Sequence, residues 1–363
     1  MRLVTLTLFS AGFLALPSIH ATPLEAQERY SCTADKLRSD NDIRLTHTGD
    51  HDDERIVETL LQRRGRCVHV ALFGSVRLRD DLAGIAELPP GSRALFHEIT
   101  PASDRRLEVE RAGGALIHRF MIDGRDAPFD RDVERWYGAL LLDLARRSGH
   151  GAEARVASLR ARGGTDAVLR EIGQLESDEA RRHYYRALLR GSTTLSPRDV
   201  ERVLTRALGD VQSNSTRRSL LVEAMQDGRQ LSPAVLRHAM EAIRSDGDKT
   251  SVLVVAARLH LDGSNDATRR AFFEAARTIR SDGDMRRVLV TALRAAPDEA
   301  VAREVIASTA EIRSDGDKAS VLLAVAGTGL LGRRNALRRE YEAAAATIRS
   351  SGDRARVLRA VSP

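Results

Sequence analysis

Ile243-Arg-Ser-Asp-Gly-Asp248 decides the fold, because it returns as Ile279 to Asp284, as Ile312 to Asp317 and, with one change, as Ile348-Arg-Ser-Ser-Gly-Asp353. Two weaker copies precede these, Leu175-Glu-Ser-Asp178 and Val211-Gln-Ser-Asn214. The six starts are 36, 32, 36, 33 and 36 residues apart, the period of a two-helix repeat. Each copy brings its own core. Seven and eight positions after the motif serine stand Tyr184-Tyr185, Leu220-Leu221, Val252-Leu253, Val288-Leu289, Val321-Leu322 and Val357-Leu358. Before the motif runs a first-helix stripe, such as Val200, Val203, Leu204, Ala207, Leu208 and Val211, or Leu236, Ala239, Met240 and Ile243. Residues 151–363 are therefore expected to form an α-solenoid of about six helical hairpins.

The phrase reads as the joint of each hairpin. Ser245 with Asp248, and its counterparts Ser281 with Asp284, Ser314 with Asp317 and Ser350 with Asp353, match the S-x-x-D pattern. In that pattern the serine accepts from a free N–H of the first turn, and the acidic side chain reaches back and opposes the helix dipole. Alternatively, Gly247, Gly283, Gly316 and Gly352 end the first helix and the following Asp caps the second. Ser196-Pro197 and Ser232-Pro233 open two first helices in cap-then-proline order. The repeated Asp-x-Asp also admits a calcium reading. Calcium loops, however, need several oxygen ligands in series and an acidic residue to close them, whereas here Lys or Arg follows within two residues.

Stacked repeats stack their side chains. Arg244, Arg280, Arg313 and Arg349 should form one row, with Lys249, Arg286, Lys318 and Arg354 close by. Such a row is either a surface ion-pair ladder, worth little per pair, or a ridge that reads an acidic partner.

Upstream, residues 28–150 read as a β-rich domain ending in an amphipathic helix. Extended candidates are Arg66 to Arg79, alternating around Gly74, then Ala94 to Ile99, Leu107 to Arg111 and Ala115 to Ile122. Pro89-Pro90-Gly91, Gly113-Gly114 and Asp123-Gly124 supply turns. Glu54 to Arg64 is ambiguous, since Ile56, Val57, Leu60 and Leu61 also fit a helix face. From Asp130 a helix is clear: Val133, Trp136, Tyr137, Leu140, Leu141 and Leu144 make one apolar stripe, expected to pack on the sheet. The fold class is α+β, a small β-rich domain followed by the all-α solenoid.

Residues 1–27 read as an export signal, with Arg2, a short apolar stretch from Leu3 to Leu16, and Pro17 to Ala21. Cleavage after Ala21 or Ala26 fits, although Ile19 or Leu24 stands where a small residue is usual; an uncleaved N-terminal anchor is the alternative. No later stretch reaches 18 apolar residues, so no membrane span is expected after signal removal. The expected location is periplasmic or secreted. In an oxidising compartment Cys32 and Cys67 most simply form one disulfide; a reactive thiol or metal ligand is the competing reading.

Bulk charge excludes little. The net +6 is a small excess of 57 basic over 51 acidic residues, interspersed rather than in a run, so no nucleic-acid partner is inferred from it. Aromatics are only 4%, which leaves Leu, Val and Ala to build the core. His47-Thr-Gly-Asp50-His51-Asp52-Asp53-Glu54 is the densest set of possible metal ligands, but Thr-Gly-Asp between the histidines argues for a loop rather than the helix that would present both imidazoles together. His97-Glu98 lacks the second zincin histidine, and no G-x-S-x-G, P-loop, G-x-G-x-x-G helix start or C-x-x-C is present. No catalytic residue and no cofactor is expected.

The phrase Ser-Asp-x-Asp with a following basic residue and Val-Leu resembles repeats of the HEAT-like α-solenoid class, as found in uncharacterised exported bacterial proteins. It is also similar to repeat regions attached to some membrane zinc metallopeptidases of the β-lactam-sensor type. Asp123-Gly-Arg-Asp-Ala-Pro-Phe-Asp130 through Trp136, and Gly151-Ala-Glu-Ala-Arg-Val156, look like the junction in those proteins. The zinc signature and the membrane helices are missing, so the resemblance implies an accessory or sensory role outside the cytoplasm and no peptidase activity. The expected function is a non-catalytic protein or peptide interaction scaffold; the alternative is a hydrolase with an unrecognised site between the β domain and the first repeats.

Overall fold

The computed structural model describes residues 32, 43–51, 54–63, 65–79, 81–190, 195–332 and 336–361; the expected export signal lies outside them. The chain divides into two units, Met1–Arg77 with Ile85–Glu134, and Leu78–Gly84 with Arg135–Pro363.

The first unit is β-rich. Its strands are β1 (Ile43–His51), β2 (Glu54–Arg63), β3 (Arg66–Phe73), β4 (Arg77–Leu78), β5 (Ile85–Glu87), β6 (Arg93–Thr100), β7 (Ser103–Ala112), β8 (Ala115–Ile122) and β9 (Arg125–Ala127). Seven of them pair in the order β1-β2-β3-β6-β7-β8-β9, and β4 with β5 makes a separate ribbon. Every neighbouring pair in the large sheet is antiparallel. Two-residue turns set the register at Gly113-Gly114 and at Asp123-Gly124, where both residues of each turn have positive φ. That is the backbone hand that matches strand twist. Val70, Phe96, Leu107 and Phe120 stand opposite one another across four strands and are all buried. Each contributes about 1.5–3 kcal/mol of burial.

The ambiguous stretch is strand β2 over Glu54–Arg63. Leu60 and Leu61 point to opposite faces, and both are buried. A strand covered on two sides reads as a run rather than an alternation, which is why a helix face seemed to fit. The expected loop at His47 to His51 is corrected in the same way: these residues belong to β1, paired with β2 from His51↔Glu54 to Ile43↔Gln62. Four residues along a strand separate two Cα atoms by about 13 Å, more than twice the spacing that one helical turn would give. Cys32 and Cys67 form the disulfide, Cα to Cα 5.7 Å, and both are buried beside Leu60.

The second unit is helical. Its elements are α1 (Arg131–Ser148), α2 (Ala152–Ile172), α3 (Asp178–Arg190), α4 (Pro197–Asp210), α5 (Asn214–Gln226), α6 (Pro233–Ala242), α7 (Asp246–His260), α8 (Asp266–Ala276), α9 (Asp282–Ala295), α10 (Glu299–Ser308), α11 (Asp315–Ala326), α12 (Ala336–Ala346) and α13 (Ser351–Arg359). Asp130 caps α1, its Oδ1 accepting from the N–H of Asp132 at 2.9 Å and of Val133 at 3.0 Å. From Arg135 onward α1 groups with the other helices. Its last turn meets the first joint, where Ser177 Oγ donates to the carbonyl of Arg147 at 2.6 Å.

Second helices stack on second helices, from α3 through α5, α7, α9 and α11 to α13, and first helices on first helices, from α4 to α12. One continuous core runs between the two layers. The core pairs fall as the spacing requires, with Tyr184, Tyr185, Leu221, Val252, Leu253, Val288, Leu289, Val321, Leu322 and Val357 at 0% exposure. Leu358 in the last hairpin is the exception at 37%. The first hairpin departs too, since α2 is broken at Gly163 and Gly164 and packs chiefly on α3.

Candidate interaction surface

The joints are where the repeated phrase acts. Ser245 Oγ accepts from the Asp248 N–H at 3.3 Å, Ser281 from Asp284 at 3.4 Å, Ser314 from Asp317 at 3.2 Å and Ser350 from Asp353 at 3.3 Å. The serine is thus the N-cap, and the glycines lie one residue inside the second helix instead of ending the first. Gly247, Gly283, Gly316 and Gly352 are absent from the positive-φ positions. A Cβ on Gly283, Gly316 or Gly352 would meet nothing within 4 Å.

The first aspartate of the phrase does something the spacing did not announce: it reaches forward to the next hairpin. Asp246 Oδ2 accepts from the backbone N–H of Arg280 at 3.0 Å and of Ser281 at 2.9 Å. Asp282 does the same for Arg313 at 3.2 Å and Ser314 at 2.8 Å, and Asp315 for Ser350 at 2.8 Å. Asp178 holds Gln212 and Ser213 at 2.9 and 2.7 Å. In the second hairpin Asn214 takes the place, its Oδ1 accepting from Arg244 N–H at 3.2 Å. These donors belong to a chain that has left one helix and not yet joined the next, so no helical carbonyl serves them. The Ser350 N–H holds the Asp315 carboxyl below the ordinary carboxylate range.

In the third and fifth hairpins the second aspartate meets a guanidinium of the preceding hairpin, Asp248 with Arg218 at 3.3 Å and Asp317 with Arg286 at 3.2 Å, while Asp353 pairs with Arg356 of its own helix at 2.9 Å. The carboxylates of Asp246, Asp248, Asp282, Asp315, Asp317 and Asp353 are therefore committed to N–H groups and arginines. Among the described residues no group of three or more His, Cys, Asp and Glu could hold a metal ion.

The expected row of Lys249, Arg286, Lys318 and Arg354 divides. Lys249 and Lys318 are buried and leave the candidate surface. Lys249 Nζ donates to the Thr278 carbonyl at 3.4 Å and hydroxyl at 3.3 Å, and Lys318 Nζ to Thr347 Oγ1 at 3.1 Å. Burial pushes the Lys249 ammonium below its ordinary value. Arg217 stands at the same place in its hairpin and donates to the Ala242 carbonyl at 2.7 Å. A cation four residues after the serine thus caps the end of a neighbouring first helix, where carbonyls lack partners and the dipole is negative. Arg286 lies one position further along, paired as above, and Arg354 is exposed, with Nη1 3.4 Å from the Ile348 carbonyl.

The other row stays together. Arg244, Arg280, Arg313 and Arg349 are all exposed, the last two side chains at 79% and 83%. Arg313 Nη2 donates to the Arg280 carbonyl at 3.0 Å and Arg349 Nη2 to the Arg313 carbonyl at 3.4 Å, so the residues succeed one another along the stack. Their nearest carboxylates, Asp282 and Asp315, lie at 3.8 and 3.9 Å and already hold backbone N–H groups.

Two further places bear on chemistry. On one sheet face His69 and His97 are cross-strand neighbours, His97 Nε2 lying 2.7 Å from Asp104 and His69 Nε2 3.5 Å from Glu58. Cys67, the thiol position nearest them in the register, is closed in the disulfide. In the helical unit a cleft of about 650 Å³ between α2 and α3 has an apolar floor that includes Val156, Ala187 and Leu188, and a rim of Glu153, Arg160 and Arg190. Among the described residues its lining includes no serine, cysteine or histidine. No helix among the described residues is long and apolar enough to cross a membrane. Compared with known proteins, the chain matches no protein family, no curated protein and no solved structure.

Proposed function

We propose that the protein is a non-catalytic interaction scaffold acting outside the cytoplasm, which docks a protein or peptide partner on its stacked joints. The observation that carries the reading is the row of exposed arginines at 244, 280, 313 and 349, whose charge is only weakly answered by its own chain. Repeats offer such a row at no cost in core packing, since the joint is set by serine and aspartate and leaves the preceding residue free to vary. The disulfide supports an oxidising compartment. The likeness of the phrase to HEAT-like repeats of exported proteins supports an accessory or sensory role in the envelope.

The test is crosslinking and affinity capture from the native envelope fraction, with wild type beside the charge-reversed R244E/R280E/R313E/R349E chain. The expected result is loss of the captured partner from the variant while its helical circular dichroism and melting stay unchanged. Retention of every partner by a folded variant would sink the assignment.

A further inference from the structure

Resting on that docking surface, we propose that its occupant is an extended acidic polypeptide segment with a carboxylate at every third residue. The row is single file. It advances by one hairpin per arginine, and packed helices stand about 8–10 Å apart. A polyproline-type extended chain has three residues per turn and rises about 3.1 Å per residue, so every third side chain returns to the same face after about 9 Å. The two repeats agree. Acidic side chains at i, i+3, i+6 and i+9 would meet Arg244, Arg280, Arg313 and Arg349 in turn without bending the peptide or the stack.

The glycines supply a second, separate reason to seat a chain there. In the last four hairpins glycine follows the first residue of the second helix, although neither φ nor space requires it, and glycine is the poorest helix former after proline. In the first two hairpins those positions are Glu179 and Ser215, and the arginine positions are Glu176 and Gln212. Arginine and glycine therefore begin together at the third hairpin and persist together to the sixth. A side chain removed three positions after each arginine, where a Cβ would meet little or nothing within 4 Å, gives a polypeptide backbone room to lie close. A lipid surface has no use for single-file spacing, because a plane of head groups meets cations in any arrangement.

The test uses the full chain and two labelled twelve-residue peptides of identical composition, four Glu in a Pro and Ser background, with Glu either at every third position or clustered. Fluorescence anisotropy should give tighter binding to the every-third peptide by about tenfold, with each single Arg→Gln substitution in the row weakening it roughly two- to fivefold. Equal affinity for both peptides overturns the spacing, while a loss of both in R244Q/R280Q/R313Q/R349Q would still uphold the docking surface. Binding of both peptides undiminished in that variant overturns the surface as well. Failure of the every-third peptide to bind the wild type overturns the acidic-segment proposal. So does Arg-dependent binding of phosphatidylglycerol vesicles stronger than that of the every-third peptide. If the fourfold variant misfolds, the single substitutions decide.

Discussion

Both units of this chain close loops of the same length by different means. In the sheet, Cys32 and Cys67 are joined across a separation of 35 residues. In the hairpin stack, Asp246 and Ser281, also 35 apart, are joined by a hydrogen bond, and comparable bonds recur at Asp178, Asp282 and Asp315. One closure is covalent and made once; the other is weak and made at successive joints. A sheet of seven strands holds residues distant in sequence in one register, so a single tie near its core restrains much of it. A stack whose hairpins touch only their neighbours gains nothing from a distant tie and must repeat a local one.

The largest test of that contrast is Leu289→Ala, which removes a fully buried core-pair member from the fourth hairpin. It should cost about 2–5 kcal/mol, seen in urea as an earlier loss of helical signal. Next is Cys32→Ser, or reduction of the wild type, which should cost the sheet about 2–4 kcal/mol. The helical transition should stay in place, and an equal shift of both transitions would break the distinction drawn here. Asp282→Ala strands the N–H groups of Arg313 and Ser314 and should cost about 1–3 kcal/mol. Hydrogen exchange at those two amides should quicken while amides of the sheet do not change. Asp282→Asn should lose less, since an amide oxygen still accepts, as Asn214 does.

The smallest effect expected is on acid stability. The Asp315 carboxyl is held below its ordinary value chiefly by the Ser350 N–H, so the folded state binds that proton less readily than the unfolded chain. Its contribution is complete above the unfolded carboxylate value, near 4, and is lost as pH falls from there through the folded value. Asp315→Asn should flatten that part of the pH dependence of helical melting. An unchanged acid limb would show that the carboxylate is not what the last joint depends on.

The two units also differed in how far their sequences could be read. The hairpins were legible because a short phrase and a pair of apolar residues recur at matched offsets, and the serine cap because S-x-x-D describes a contact within one turn. The forward reach of Asp246 was not legible, because its partner lies a whole repeat away. Its traces were the changes at that place, asparagine at 214 and serine at 351. The burial of Lys249 and Lys318 had a clearer sign that went unused: Met285 stands at the same offset in the fourth hairpin and is also buried, and an apolar residue in a supposed cationic row marks a position that faces inward. In the sheet, β2 was obscured by its two covered faces, where both Leu60 and Leu61 are buried. The arginine row was visible as a spacing, but only the geometry separates it from the lysines beside it.

At the first, third, fourth and fifth joints the leading aspartate serves the hairpin that follows. That gives the stack a direction in time as well as in space. As the chain is synthesised from its N-terminus, Asp246 is already in place when the N–H groups of Arg280 and Ser281 emerge, and each finished hairpin presents a waiting acceptor to the next. A fragment cut after any hairpin keeps the backbone acceptors of its own joints, although side-chain donors such as Lys249 lose theirs, whereas one that begins there starts with a joint whose aspartate has been left behind. The joint amides at the cut end should therefore stay protected from exchange in C-terminal truncations of this unit and lose protection in N-terminal ones of equal length.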